Sequence, residues 1–246
     1  MLDARTGRPV EVPPAGRRGL RLRVRLDCPG RRAGWQELRV LLVADVLLRT
    51  VEAAGTQVFP TMAVPELPPD RAEALDRALH GYGIHVPAAE DSPATDVHLR
   101  SGGPAPDSRS GVDLLVGRVT VGTGVPDAMA FEPTEDPLAR RLALLRTPYQ
   151  EAARIDLDVL RDSAAELAGW RVLVAAWSRA PSAPVPPALR EQVRAALDTG
   201  PATHDLPALL RLTALDPDLE DGARFEAFLW LDRILALELA RDVGRH

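Results

Sequence analysis

The stretch "GLRLRVRLDCPGRRAGWQELRVLLVADVLLRTVEAAGTQVF", residues 19–59, decides the fold of this chain. Its first part alternates strictly. Leu20, Leu22, Val24 and Leu26 fall on one face, and Arg21, Arg23, Arg25 and Asp27 on the other, which is the period-two pattern of a half-buried strand. A short loop follows from Cys28. From Glu37 to Ala54 the chain is apolar nearly all round, with Asp45, Arg49 and Glu52 on a single stripe. That pattern predicts a helix buried against a sheet. Gly55 stops the helix, and Thr56 to Phe59 starts a second strand. Strand, helix and strand at this spacing make a βαβ unit with a parallel sheet.

Working outward, Asp70 is placed to cap a helix from Arg71 to His80, stopped by Gly81 and Gly83. Ile84 to Val86 reads as a short extended piece, and Pro87 to Ser110, rich in Pro, Gly, Ser and Asp, as loop. Val112 to Val116 and Arg118 to Val121 read as strands. After Asp136 the character changes. Pro137 suits the first turn of a helix, and helical patterns continue over about Asp156–Trp177, Pro187–Leu197, His204–Leu215 and Gly222–Asp242. The Pro-rich "APSAPVPP", residues 180–187, is a stiff connector. The predicted fold class is α/β: a reduced Rossmann-like parallel-sheet domain over about 1–125, then an all-α helical bundle over about 135–246. The boundary falls between Gly124 and Glu135.

Composition bounds the possible functions. The 246 residues suit one large domain or two modest ones. Hydrophobic residues make up 46% and aromatics only 4%, so Leu, Val and Ala must build the core. A single cysteine excludes an internal disulfide framework and fits a reducing compartment. The sequence has no secretory h-region and no apolar run long enough to span a bilayer. A cytoplasmic protein without a membrane partner is expected. The net charge of −5 argues against a general nucleic-acid binder, and no DNA partner is expected. The charge is uneven, since residues 1–50 carry +6 and leave −11 for the rest. The chain contains no lysine, so no lysine can serve as nucleophile, Schiff-base former or phosphate clamp.

Several stretches together resemble cysteinyl-tRNA synthetase, a class I aminoacyl-tRNA synthetase. That family's first strand ends in Cys-Gly-x-Thr, and here it ends in "CPGR". The family's His-Ile-Gly-His-Ala-Arg leads into a helix containing Phe-Asp-Val-Leu; here "GWQELR" leads into "VLLVADVLLR". "EALDRALHGYGIHVPAAEDSPATDVHL", "LVGRVTVG", "DPLARRLALLRTPYQEAARIDLDVL" and the closing "FEAFLWLDRILALELAR" are similar to later stretches of the family, in the same order. The resemblance is discontinuous but collinear over most of the chain, and its helical part resembles the synthetase's stem bundle.

The same alignment implies that the chemistry is gone. Family members stabilise charge on the ATP α-phosphate with two histidines and with the ammonium groups of Lys-Met-Ser-Lys-Ser. The first signature falls on Gly34, Trp35, Gln36 and Glu37, with both histidines lost and a carboxylate placed to repel phosphate. The second falls near "GVPDAMA", which has no cation. Of the zinc ligands only Cys28 has a counterpart, and one thiolate is a poor zinc site. The zinc-bearing insert and the anticodon-reading domain have no counterpart either. The resemblance therefore implies a catalytically degenerate, shortened paralogue with no catalytic residues, no metal site, no zinc and weak ATP binding at most. Such a chain would act as a binding or protein-interaction module. Its partners would be tRNA or another protein, such as an intact synthetase. The alternative is an active ATP-dependent cysteine ligase with a tRNA or small-molecule acceptor.

The residues left as a candidate anion or nucleotide contact are Arg31, Arg32 and Trp35, beside the start of the buried helix. His80, His85 and His98 follow no ligand spacing and read as scattered surface histidines. Ser101 and Ser110 lie in polar loop without a base partner. Gly122 to Gly124 is no dinucleotide fingerprint. Trp170 and Trp177, seven apart, have core spacing.

Overall fold

The computed structural model describes residues 2–10, 19–85, 95–102, 111–198, 200–201 and 203–245. A two-strand antiparallel hairpin, β1 (Leu2–Asp3) and β2 (Arg8–Pro9), comes first. The main sheet follows, built from β3 (Gly19–Arg25), β4 (Gln57–Ala63), β5 (Val97–Arg100) and β6 (Val112–Leu115). Its spatial order is β4-β3-β5-β6 and every pairing is parallel. β3 pairs with β4 over its full length, from Gly19 opposite Gln57 to Arg25 opposite Ala63. The expected βαβ unit is therefore present, with helix α1 (Trp35–Ala53) as its crossover.

The alternation in β3 has the expected result. Leu20, Leu22, Val24 and Leu26 are buried, whereas Arg21 is exposed and Arg23, Arg25 and Asp27 are half-buried. α1 is buried along most of its length, as its all-round apolar sequence requires. The stripe of Asp45, Arg49 and Glu52 is only partly a solvent stripe, because Asp45 lies in the core.

Helix α2 (Pro69–Gly81) buries Leu75 and Leu79. Pro68 occupies its N-cap and no side chain caps it. Asp70 instead sits in the first turn and pairs with Arg71 at 3.4 Å, because prolines at 68 and 69 start the helix two residues earlier. Strand β5 corrects the reading of Pro87 to Ser110 as loop, since Val97 to Arg100 is an interior strand flanked by β3 and β6. Ile84 and His85 are not in a strand. The expectations for Val86, for 87–94 and for 103–110 lie outside the described residues.

Beyond the sheet come β7 (Val119–Val121), α3 (Pro137–Leu145), β8 (Ala153–Ile155), α4 (Leu157–Trp177), α5 (Pro187–Asp198), α6 (Asp205–Leu215) and α7 (Asp221–Leu235). Asp136 caps α3 through Leu138 N–H at 3.1 Å, and Asp156 caps α4 through Val159 N–H at 2.9 Å. Two features differ from a purely helical second half. β8 pairs in parallel with β7, tying the helices back to the first half of the chain. α7 ends at Leu235 rather than near Asp242. There the Asp232 carboxylate accepts hydrogen bonds from the N–H groups of Leu237 and Leu239 at 2.7 and 2.8 Å. Ala236 and Glu238 turn into the left-handed region, with φ of 49° and 51°. The architecture is thus a parallel four-strand α/β layer followed by helices. One cluster of buried residues runs from Leu20 on β3 to Leu239 after α7. Trp170 and Trp177 belong to it, each edge-on to Phe228, at 6.2 and 5.1 Å.

Three buried arginines hold these layers together. Arg39 on α1 donates to the carbonyls of Gly117, Thr147, Pro148 and Glu151. Arg141 on α3 reaches the carbonyls of Tyr82 and Leu235. Arg171 on α4 reaches those of Leu237 and Glu238. A guanidinium carries five donors in a fixed fork, so it can satisfy carbonyls that the interrupted helix and the loops leave unpaired.

Candidate functional site at the carboxyl end of the sheet

Open parallel sheets bind ligands outside the carboxyl ends of their strands, where the strand order reverses. Here β3 leads to β4 on one side, and the chain then crosses back to place β5 on the other. The reversal point lies between β3 and β5. The segments beyond it are Leu26 to Trp35 after β3, and Ser101 and Gly102 after β5.

The turn after β3 is tight. A 3-10 turn covers Pro29–Arg31, and Cys28, Gly30 and Arg31 all have left-handed backbone, with φ of 43°, 63° and 57°. For Cys28 and Arg31 that conformation costs about 1–2 kcal/mol each. Glu37 offsets it. Its buried carboxylate accepts from Cys28 N–H at 3.2 Å and from Gly34 N–H at 2.8 Å, fastening both ends of the loop. The Cys28 thiol is pushed up to about 12 by burial and by the carboxylates of Glu37 and Asp27. It stays a protonated thiol at neutral pH and is a poor nucleophile in that form.

The N-terminus of α1 is covered by a second carboxylate from far along the chain. Asp127 lies in the 3-10 turn Asp127–Phe131 and accepts from Trp35 N–H at 3.4 Å. Its carboxylate rests so near Gly34 that a Cβ there would meet Oδ1 at 2.7 Å. Glycine is needed at 34 for that approach. Two carboxylates therefore stand where the positive end of the helix would hold a phosphate.

The residues singled out by sequence are used as follows. Trp35 is 0% exposed and its indole N–H donates to the Pro126 carbonyl at 3.2 Å, so it offers no face to a ligand. Gln36 joins α1 to the strand region, donating to Gly117 O at 3.3 Å and accepting from Val119 N–H at 2.7 Å. Arg31 is turned toward the β4–α2 loop, where Nε donates to Glu66 O at 3.0 Å and a guanidinium nitrogen lies 3.8 Å from the Glu66 carboxylate. Arg32 is exposed. Arg31, Arg32 and Trp35 thus do not converge on one point, and the four signature positions, Gly34 to Glu37, all make contacts within the fold.

Ser101 has a partner that its sequence context did not suggest. Its hydroxyl donates to Asp27 Oδ2 at 3.2 Å, and Arg25 lies 3.3 Å from the other oxygen. A carboxylate can orient a serine hydroxyl but is far too weak a base to activate it. Ser110 is outside the described residues. Gly122 to Gly124 forms a turn against β8, with Gly122 N–H on Ile155 O at 2.7 Å. Among the described residues no group of three His, Cys, Asp or Glu could hold a metal ion. His80 lies on the exposed side of α2 with Nδ1 2.9 Å from Asp76 O. Among the described residues no helix is long and apolar enough to cross a membrane.

One cluster escaped the sequence reading. The Asp45 carboxylate, fully buried on α1, takes Arg141 at 2.5 Å and Arg49 at 2.9 Å. It also accepts from the backbone N–H of His85 and lies 3.1 Å from its Nδ1. Burial pushes the Asp45 carboxyl up, but the guanidinium groups of Arg141 and Arg49 and the hydrogen bonds hold it below its ordinary value. The Asp45–Arg49 spacing of four was readable; Arg141, 96 residues on, was not. The cluster joins α1, the end of α2, α3 and the end of α7, and it reaches solvent through exposed His85 and partly exposed Arg49.

The crevice beyond the sheet thus brings together the carboxylates of Asp27, Glu37 and Asp127 and a buried neutral thiol, with arginines only at its periphery. Comparison of the chain with protein-family models and with curated proteins finds no match.

Proposed function

We propose that this chain is a non-catalytic binding module on a cysteinyl-tRNA synthetase-like frame, and that it acts through a protein partner such as an intact synthetase. The supporting observation is the pair of carboxylates at the start of α1, Glu37 on the N–H of Gly34 and Asp127 on that of Trp35. Adenylate formation needs positive groups around the α-phosphate at this helix end. A site that supplies two negative groups raises the barrier instead. The same charges disfavour a tRNA acceptor end in the crevice.

The protein-partner reading draws on α4. Its outward face, Ala165, Ala168, Gly169, Val172, Leu173 and Ala176, carries no charge and is exposed, with Val172 at 67%. On α6, Leu212 and Leu215 are exposed at 64% and 80%. Uncharged helix faces of this kind mark interaction surfaces.

ATP–pyrophosphate exchange with cysteine tests the non-catalytic half of the proposal. The expected signal is background. Robust exchange would overturn it in favour of the ligase alternative. Co-purification from the native cell tests the other half. A specific protein partner lost in a Val172→Asp variant is expected, whereas recovery of tRNA without protein would contradict it.

A further inference from the structure

A pocket lies at the other end of α1. It has a volume of about 700 Å³ and is lined by the last turn of α1, the start of β4, α5 and α7. That size lies in the range of small-molecule sites. Its floor is apolar, formed by Val51, Val193, Leu197 and Ile234, with Trp230 along one side.

Two kinds of unspent polar group face this floor. Arg190 and Arg194 sit with Val193 and Leu197 at helical spacing on α5, so they share its pocket side. Both are exposed, and neither guanidinium is held by a carboxylate or carbonyl among the described residues. Asp198 also lines the pocket but makes no ion pair with them. Thr50, 8% exposed, also lines the pocket, and its Oγ1 has no hydrogen-bond partner among the described residues. A helical threonine ordinarily bonds back to the carbonyl four residues earlier, and a buried hydroxyl left unpaired is a cost the fold has not removed. The buried arginines Arg39, Arg141 and Arg171 satisfy carbonyls or carboxylates of the chain, and these two exposed ones do not.

We propose that this pocket binds an amphiphilic organic carboxylate. The apolar body lies on Val51, Val193, Ile234 and Trp230, and the carboxylate reaches Arg190 and Arg194. A wholly apolar ligand would leave both guanidinium groups unused. A bare anion would leave the floor wet and approach the carbonyl end of α1, which carries negative partial charge. The site is independent of the crevice beyond the sheet and of any partner on α4.

Decanoate, below its micelle-forming concentration, is the probe, with decanol as the same body without charge and acetate as the charge without body. Binding is read by calorimetry and by tryptophan fluorescence. Decanoate should saturate a single site at least about ten-fold more tightly than decanol, as a charge-assisted contact implies, and acetate should not bind. An Arg190→Ala, Arg194→Ala double variant should keep its melting temperature and bind decanoate no better than decanol. Ala53→Trp, at the pocket edge, should abolish binding of both. Equal binding of decanoate and decanol, or unchanged decanoate affinity in either variant, would overturn the proposal. So would absence of saturable decanoate binding to the wild-type chain.

Discussion

The two ends of α1 differ in how the fold treats them. At the N-terminal end the chain's own carboxylates stand on backbone donors, Glu37 on Gly34 and Cys28 and Asp127 on Trp35. At the C-terminal end a pocket of about 700 Å³ stays open, with two arginines and a threonine hydroxyl unengaged. A parallel sheet of this order places its customary ligand edge at the first end. In this chain carboxylates of the fold occupy that edge, and the binding site we propose lies at the opposite end of the helix.

Between the two ends lies the fold's strongest polar anchor, and disrupting it should have the largest effect. Asp45→Ala strands the fully buried Arg141 guanidinium, which should cost about 3–5 kcal/mol in denaturant unfolding. A loss under 1 kcal/mol would mean that Arg141 finds other partners and that the helices are not joined through this carboxylate. The same group sets an acid response. Its folded pKa lies below the unfolded value, so its contribution is full above about pH 4 and fades as pH falls through the folded pKa. Wild-type stability should drop on acidification in that window, and the drop should be shallower in Asp45→Asn.

A smaller effect tests the closed end. Glu37→Ala leaves the N–H groups of Cys28 and Gly34, the buried ends of the loop, unpaired and should cost about 1–3 kcal/mol. The buried Cys28 thiol should react sluggishly with disulfide reagents at pH 8 in the wild-type protein and faster once that carboxylate is gone. Equal thiol reactivity in both proteins would show that Glu37 does not close the loop. The smallest effect belongs to the rim. Arg31→Ala removes an exposed contact to Glu66 and should change stability by less than about 0.5 kcal/mol.

The same contrast separates what the sequence made legible from what it hid. β3 and α1 were readable because local periodicity and burial agree there, residue by residue. The start of α3 at Pro137 and the helical span of α4 were readable for the same reason. β5 was not, since four residues between Pro-, Gly- and Ser-rich flanks carry too short a pattern, and only pairing with β3 and β6 makes them a strand. The end of α7 was hidden because "ALELARD" keeps a helical rhythm. Its break depends on Asp232 and on the buried arginines Arg141 and Arg171, from distant helices. At the candidate site Glu37 was legible as a charge opposed to phosphate. Asp127, 92 residues from the helix start it covers, was not. Trp35 read as part of a candidate anion or nucleotide contact and is core instead, with its indole N–H spent on the distant Pro126 carbonyl.

The central claim, that the chain's own carboxylates fill the N-terminus of α1, is tested most directly by titrating ATP at low and at moderate salt and following heat release. The account predicts no saturable binding at moderate salt, and at low salt only a weak signal that salt removes. Tight ATP binding that persists with added salt would contradict it, because the crevice would then hold phosphate in spite of Glu37 and Asp127.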